Sequence, residues 1–268
     1  MNFLKDFLSE NEFQDFINDV KLIQNKKPLI HSITNFVAMN FSANALLSIG
    51  ASPVMSRAPE EVAQIASYAD ALVLNLGTPE EQSLKAMLIA GKTANKKGIP
   101  IVYDPVAVGA TTFRREFNCK LLNDVRVSII RGNASEILAL CDEHKINTGV
   151  DSHDQGQAAV EGAKTLALRL ETIIIISGKT DYITNGKEVR CLSLGDDMMS
   201  KVTAMGCATG GIVAAFAAVN QNMFHAACNA MVLCGYAGQM AAAKSQGNGS
   251  MMINFLDELY NTTVSIKI

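Results

Sequence analysis

No stretch of this 268-residue chain is apolar for long enough to cross a bilayer. Its longest purely aliphatic run is the four residues Ile173–Ile176, against roughly 20 for a spanning helix. Basic residues are not in excess: 23 Lys and Arg face 26 Asp and Glu, a formal charge of −3. Neither nucleic acid nor an anionic membrane surface is therefore an expected partner. The opening segment MNFLKDFLSENEFQDF holds four acidic residues and lacks the basic-then-apolar order of a signal peptide. Six cysteines are scattered without a C-x-x-C pair, which fits reduced thiols in the cytoplasm better than a disulfide framework or a zinc site. His31, His144, His153 and His225 fall in separate segments, so no histidine-based metal site is expected. G-x-x-x-x-G-K-[ST] and G-x-G-x-x-G are both missing, so a nucleotide would bind by another device. There is no internal repeat, low-complexity tract or linker. With 49% hydrophobic and 18% charged residues the chain is not disordered, and its length suits one large domain over 1–268.

What the chain does contain is an alternation. Short β-branched runs (Ala71–Gly77, Ile99–Val106, Val127–Ile130, Thr172–Gly178) precede longer helical patterns (Glu80–Lys97, Phe113–Asn123, Glu136–Cys141, with Gly156–Leu170 before the last strand). Strands that are apolar throughout belong in a mainly parallel sheet covered on both faces. Tyr182–Thr184 and Glu188–Leu194 read as a hairpin around Asn185-Gly186. From Cys207 to Tyr260 no strand pattern remains, and two or three packed helices are expected. The N-terminal stretch, roughly residues 2–18, reads as one amphipathic helix covering the sheet or a neighbour. Gly247-Asn248-Gly249-Ser250 reads as a turn between the last two helices.

In such folds ligands lie beyond the carboxyl ends of the strands. The polar ends here are Asn75-Leu76-Gly77-Thr78, Asp104-Pro105-Val106, Arg131-Gly132-Asn133 and Ser177-Gly178-Lys179. Gly206, Gly210 and Gly211 flank the beginning of an Ala-rich helix, whose free N–H groups suit an anion and whose Cys207 would stand at the helix start. Close helix–sheet packing explains the same glycines. Asn133 followed by Glu136 is an ordinary capping box, or it turns a carboxylate to the strand ends, where with Asp104 it could hold Mg²⁺. An Asp before Pro is also a common turn former. In His31–Met55 the positions Phe41, Ala45 and Leu46 fit a helix buried on one face. Asn35, Asn40 and Asn44 are too many for such a helix unless they cap or bond something. Ser52–Met55 follows as an apolar wall.

Together these segments resemble the hydroxyethylthiazole kinase family, thiamine-salvage enzymes of the ribokinase-like superfamily. The resemblance runs from PLIHSITN near residue 28 to GNGS at 247–250, through HSITNFVAMNFSAN, LLSIGASPVM, LNLGT, DPVAVGAT, RGNASEI, GVDS at 149–152 and KVTAMGC. It implies a three-layer α/β/α sandwich and transfer of the ATP γ-phosphate to the alcohol of 4-methyl-5-(2-hydroxyethyl)thiazole with Mg²⁺. It also implies a homotrimer with active sites at subunit interfaces. By the same resemblance Met55 and Ala204 contact the thiazole, Arg131 and Ser177 contact ATP, and Asn133 and Glu136 form the magnesium motif. Cys207 takes the catalytic position, where sugar kinases of the superfamily place an Asp base. Asp104 shares the metal, and Asn35 suits the small, largely apolar heterocycle. Ala204 stands where the family usually has glycine, and alanine adopts positive φ less freely. A kinase for hydroxymethylpyrimidine, pyridoxal or a sugar alcohol, or a non-catalytic sensor of ATP or thiazole, are the rival readings. An oxidoreductase is disfavoured by the missing dinucleotide fingerprint.

Overall fold

A computed structural model describes residues 2–141 and 152–266. The strands are β1 (Leu29–Ile33), β2 (Ser52–Val54), β3 (Ala71–Asn75), β4 (Ile101–Asp104), β5 (Ile129–Asn133), β6 (Ile173–Ser177), β7 (Asp181–Thr184) and β8 (Val189–Leu192). They form one sheet in the order β2-β1-β3-β4-β5-β6-β7-β8. Pairing is parallel from β2 to β6 and antiparallel for β7 and β8. The helices are α1 (Asn2–Phe7), α2 (Glu10–Lys26), α3 (Met39–Ser48), α4 (Val62–Tyr68), α5 (Glu81–Lys97), α6 (Thr112–Asp124), α7 (Ala134–Cys141), α8 (Ser152–Leu170), α9 (Met205–Val219), α10 (Met223–Lys244) and α11 (Asn248–Ser265).

Strand residues alternate between two apolar layers, as the pleat requires. Ala71, Val73, Val102, Ile173 and Ile175 join the layer that contains Phe16, Phe216 and Phe255. Leu72, Leu74, Tyr103, Ile174 and Ile176 join the opposite layer with Met87, Leu121 and Leu166. Both faces are thus covered, giving the expected α/β/α sandwich. The last third is three helices, and α9 lies against the sheet with Ile212, Val213 and Phe216 fully buried.

Two readings need correction. The N-terminal stretch is two helices, because Ser9 opens a new one: its backbone N–H donates to Glu12 Oε2 at 2.9 Å and its hydroxyl accepts from the Glu12 N–H at 3.4 Å. The S-x-x-E spacing at Ser9–Glu12 is a capping-box signature. Residues 248–250 are not a turn but the first turn of α11, where the Ser250 hydroxyl accepts from the Gly247 N–H at 3.2 Å. GVDS lies outside the described residues except for its last residue, which begins α8. Among the described residues no helix is long and apolar enough to cross a membrane.

Candidate active site

Beyond the carboxyl ends of the parallel strands lies a cavity of about 890 Å³. Asp104, Arg131, Asn133, Glu136, Ser177, Ala204 and Cys207 all line it, so seven of the nine residues singled out above converge. Asn35 joins them through Cys207. Met55 does not line the cavity; it follows the edge strand β2 and packs half-buried against the α9 side of the core.

The strand order reverses direction between β1 and β3, since β2 lies outside β1 and β3 to β6 run the other way. The crevice at such a switch point is where open α/β sheets bind ligands. Asn35 follows β1, Asn75 ends β3, and the first turn of α9 faces both. Asn35 Oδ1 accepts from the N–H groups of Val37 and Ala38, each at 3.1 Å, and its Nδ2 donates to Asn75 Oδ1 at 2.8 Å and Cys207 Sγ at 3.3 Å. Asn75 Nδ2 donates to Asp104 Oδ2 at 2.7 Å and to Cys207 Sγ at 3.3 Å. Asn40 and Asn44 serve elsewhere, bonding each other on α3.

Cys207 is a thiol at neutral pH. Burial pushes its pKa up and the Asp104 charge adds to this, outweighing the two amides and Arg131, which favour the thiolate. At the α9 start the first helical bond runs from Ala208 N–H to Ala204 C=O at 2.9 Å, leaving the N–H groups of Gly206 and Cys207 outside the ladder. Ala204 takes the left-handed conformation, φ 67°, so the loop closes despite the methyl group, at a cost of roughly 1–2 kcal/mol. Among the described residues nothing bonds the buried Nε of Arg131. Gly206 seats it: a Cβ there would lie 2.5 Å from Arg131 Nη1.

Glu136 forms the capping box and also turns its carboxylate to the strand ends. Its Oε2 accepts from the Asn133 N–H at 2.8 Å while its own N–H donates to Asn133 Oδ1 at 2.9 Å, a capping box at the β5–α7 junction. Its Oε1 accepts from the Ala107 N–H at 2.9 Å, which fixes the carboxylate at the cavity wall. Asp104 is buried and its pKa is pushed up to about 7, by burial first and by repulsion from Glu136, against Arg131 and Asn75. Among the described residues no three His, Cys, Asp or Glu converge to cage a metal. Two mutually repelling carboxylates on one cavity wall suit a hard dication that completes its shell with water and phosphate oxygens.

A sequence profile of the Hydroxyethylthiazole kinase family matches residues 20–265. The chain belongs to the hydroxyethylthiazole kinase family. A hydroxyethylthiazole kinase from Desulfotalea psychrophila is 45% identical over 91% of this chain and 89% of its own length. The structure of the hydroxyethylthiazole kinase protein from Pyrococcus horikoshii OT3 superposes with a TM-score of 0.84 at 33% identity, covering 93% of this chain and 95% of that one. A ribokinase-like superfamily protein from Enterococcus faecalis shares the fold, with a TM-score of 0.66 at 12% identity over 91% of this chain and 89% of its own.

Sequence reasoning passed over two buried residues here. Asn75 was visible only as a polar strand end. Asp181 hid in the hairpin, and its Oδ1 accepts from the Gly178 N–H at 3.0 Å on the cavity wall. Burial lifts its pKa to about 6, against the Gly178 N–H and Arg131. A carboxyl raised in the folded state stabilises the fold below its ordinary value of 3.8, and that contribution is lost as pH rises through about 6. Asp181→Asn keeps the acceptor without the charge. Urea melts are expected to show it roughly 1–3 kcal/mol more stable than the parent at about pH 8, with the gain vanishing below about pH 4. Parallel pH dependences for parent and variant would refute this account.

Proposed function

We propose that this chain, acting as one kinase domain over 1–268, transfers the γ-phosphoryl group of ATP to the hydroxyl of 4-methyl-5-(2-hydroxyethyl)thiazole. The observation that carries the reading is the meeting of Arg131, Asp104, Glu136 and the α9 start around one cavity at the strand ends. Phosphoryl transfer asks for alignment and charge neutralisation more than for covalent help. Arg131 neutralises the polyphosphate, Ser177 borders it, and the N–H groups of Gly206 and Cys207 receive oxygens of the moving group. Asp104, Glu136 and Asn133, the last two tied by the capping box, would hold Mg²⁺, whose charge would offset that of the polyphosphate.

Cys207, protonated at rest, positions the alcohol rather than waiting as a thiolate. Asn35, Ala204 and the Met55 wall are assigned to the thiazole side. We also assign the chain to the cytoplasm and to a homotrimer with active sites at subunit interfaces. Phe36 and Val37, 58% and 60% exposed beside Asn35, support a second copy completing that side.

The test is ADP release from Mg-ATP with and without the hydroxyethylthiazole. Thiazole-dependent ADP with phosphorylated thiazole by mass is expected. Thiazole binding without ADP would overturn the kinase reading in favour of a sensor, and turnover of pyridoxal or hydroxymethylpyrimidine alone would move the substrate.

A further inference from the structure

Asn75 sits at the crossing point of the candidate site, 1% exposed, behind Asp104 and Cys207, which line the cavity. Its amide has a determined polarity. The Gly77 N–H, which can only donate, meets Asn75 Oδ1 at 3.0 Å, so the oxygen is on that side and both Nδ2 hydrogens point the other way. Asn35 is oriented by the same logic, since Val37 and Ala38 N–H groups claim its oxygen. Gly77 is required by this arrangement: a Cβ there would lie 2.5 Å from Asn35 Nδ2. Backbone donors at two loops thus dictate which way two side-chain amides face.

One consequence follows at each end of Asn75. One hydrogen is committed to the Asp104 carboxylate at 2.7 Å and the other to Cys207 Sγ at 3.3 Å. The sulfur, receiving a second N–H from Asn35 at 3.3 Å, has its acceptor capacity turned inward. Its own S–H is left to the cavity, where an alcohol oxygen would lie.

We propose that Asn75 is a positioning residue that fixes, through one amide, both the Asp104 carboxylate and the direction of the Cys207 S–H, so that the phosphate end and the alcohol end of the site are held in register. This rests on the kinase reading for its kinetic consequence, while the orientation of Cys207 is a property of the protein alone.

Asn75→Asp tests it with shape preserved and polarity reversed. A carboxylate would face the Asp104 carboxylate and the sulfur with acceptors only, and even protonated it offers one hydrogen where the amide offers two. The expected result is a fall in kcat of about 10–100-fold, the size typical of losing a partner that orients a ligating group, with KM for the thiazole changed less than about threefold. A merely space-filling Asn75 would tolerate this isosteric change or shift KM and kcat together. The second measurement needs no substrate: iodoacetamide labelling at pH 8, followed on the Cys207 peptide by mass spectrometry. The variant is expected to label about tenfold more slowly, because a donor to sulfur has become a negative charge.

An unchanged labelling rate, or an unchanged kcat in an active parent, overturns the proposal. Should the parent fail to phosphorylate the thiazole, the kinase reading falls and the labelling comparison still decides this one. If Asn75→Asp does not fold, Asn75→Ser replaces it, with one donor left and no added charge. Its kcat is expected about fivefold or more below the parent with slower Cys207 labelling, and parent-like values of both overturn the proposal.

Discussion

Arg131→Ala is expected to lose about 10³-fold in kcat/KM with Mg-ATP, the scale on which fixed cations act in phosphoryl transfer. Arg131 leaves β5 beside Asn133 and Glu136, and its Nε is buried with no partner among the described residues. The charges of Asp104 and Asp181 both feel it, yet among the described residues no ion pair holds the guanidinium. It is seated over Gly206, where a Cβ would lie 2.5 Å from its Nη1. Arg131→Lys keeps the charge but not the planar fork and should recover only part of the loss. Steady-state kinetics with varied ATP would decide: an alanine variant within about threefold of the parent removes Arg131 from the phosphate site.

The largest expected loss of stability is at the other end of the same helix. Phe216 on α9 is fully buried and stacks on Phe16 of α2, with ring centroids 6.5 Å apart and planes 18° apart. Phe216→Ala removes that contact and leaves a cavity between α9 and α2, costing about 3–5 kcal/mol and lowering Tm by roughly 10 °C in a chain of this size. Phe113→Ala, at a side chain 50% exposed, should cost less than about 1 kcal/mol. Equal shifts in the two variants, read by calorimetry, would mean that α9 is not anchored through this ring.

The sheet was legible because parallel strands buried on both faces carry uninterrupted apolar runs, as at Thr172–Gly178, and each run ends in polar residues at the ligand side. The convergence of Asp104, Arg131, Glu136 and Cys207 then follows from topology, which brings the carboxyl ends of the parallel strands to one rim. Asn75 was not legible, since its significance lies in pairing across the crevice with Asn35 and Asp104, 40 and 29 residues away in sequence. Asp181 escaped for a related reason: a carboxylate at a hairpin start usually faces water, and only the third dimension shows it buried. At Ser9 the capping signal was present, and the amphipathic period running across it masked the break.

Left-handed backbone at residues other than glycine occurs at five described positions: Lys27, Thr78, Ala107, Glu171 and Ala204. Ala204, at the threshold of α9, lines the candidate cavity, and Thr78 and Ala107 lie in the loops after β3 and β4. Ala107 also donates its N–H to Glu136. Strained backbone of this kind is selected against wherever heat tolerance alone is rewarded. A laboratory evolution campaign run on thermal survival without an activity screen would therefore drift first towards glycine at Thr78, Ala107 and Ala204, and would loosen the loops beside the candidate site.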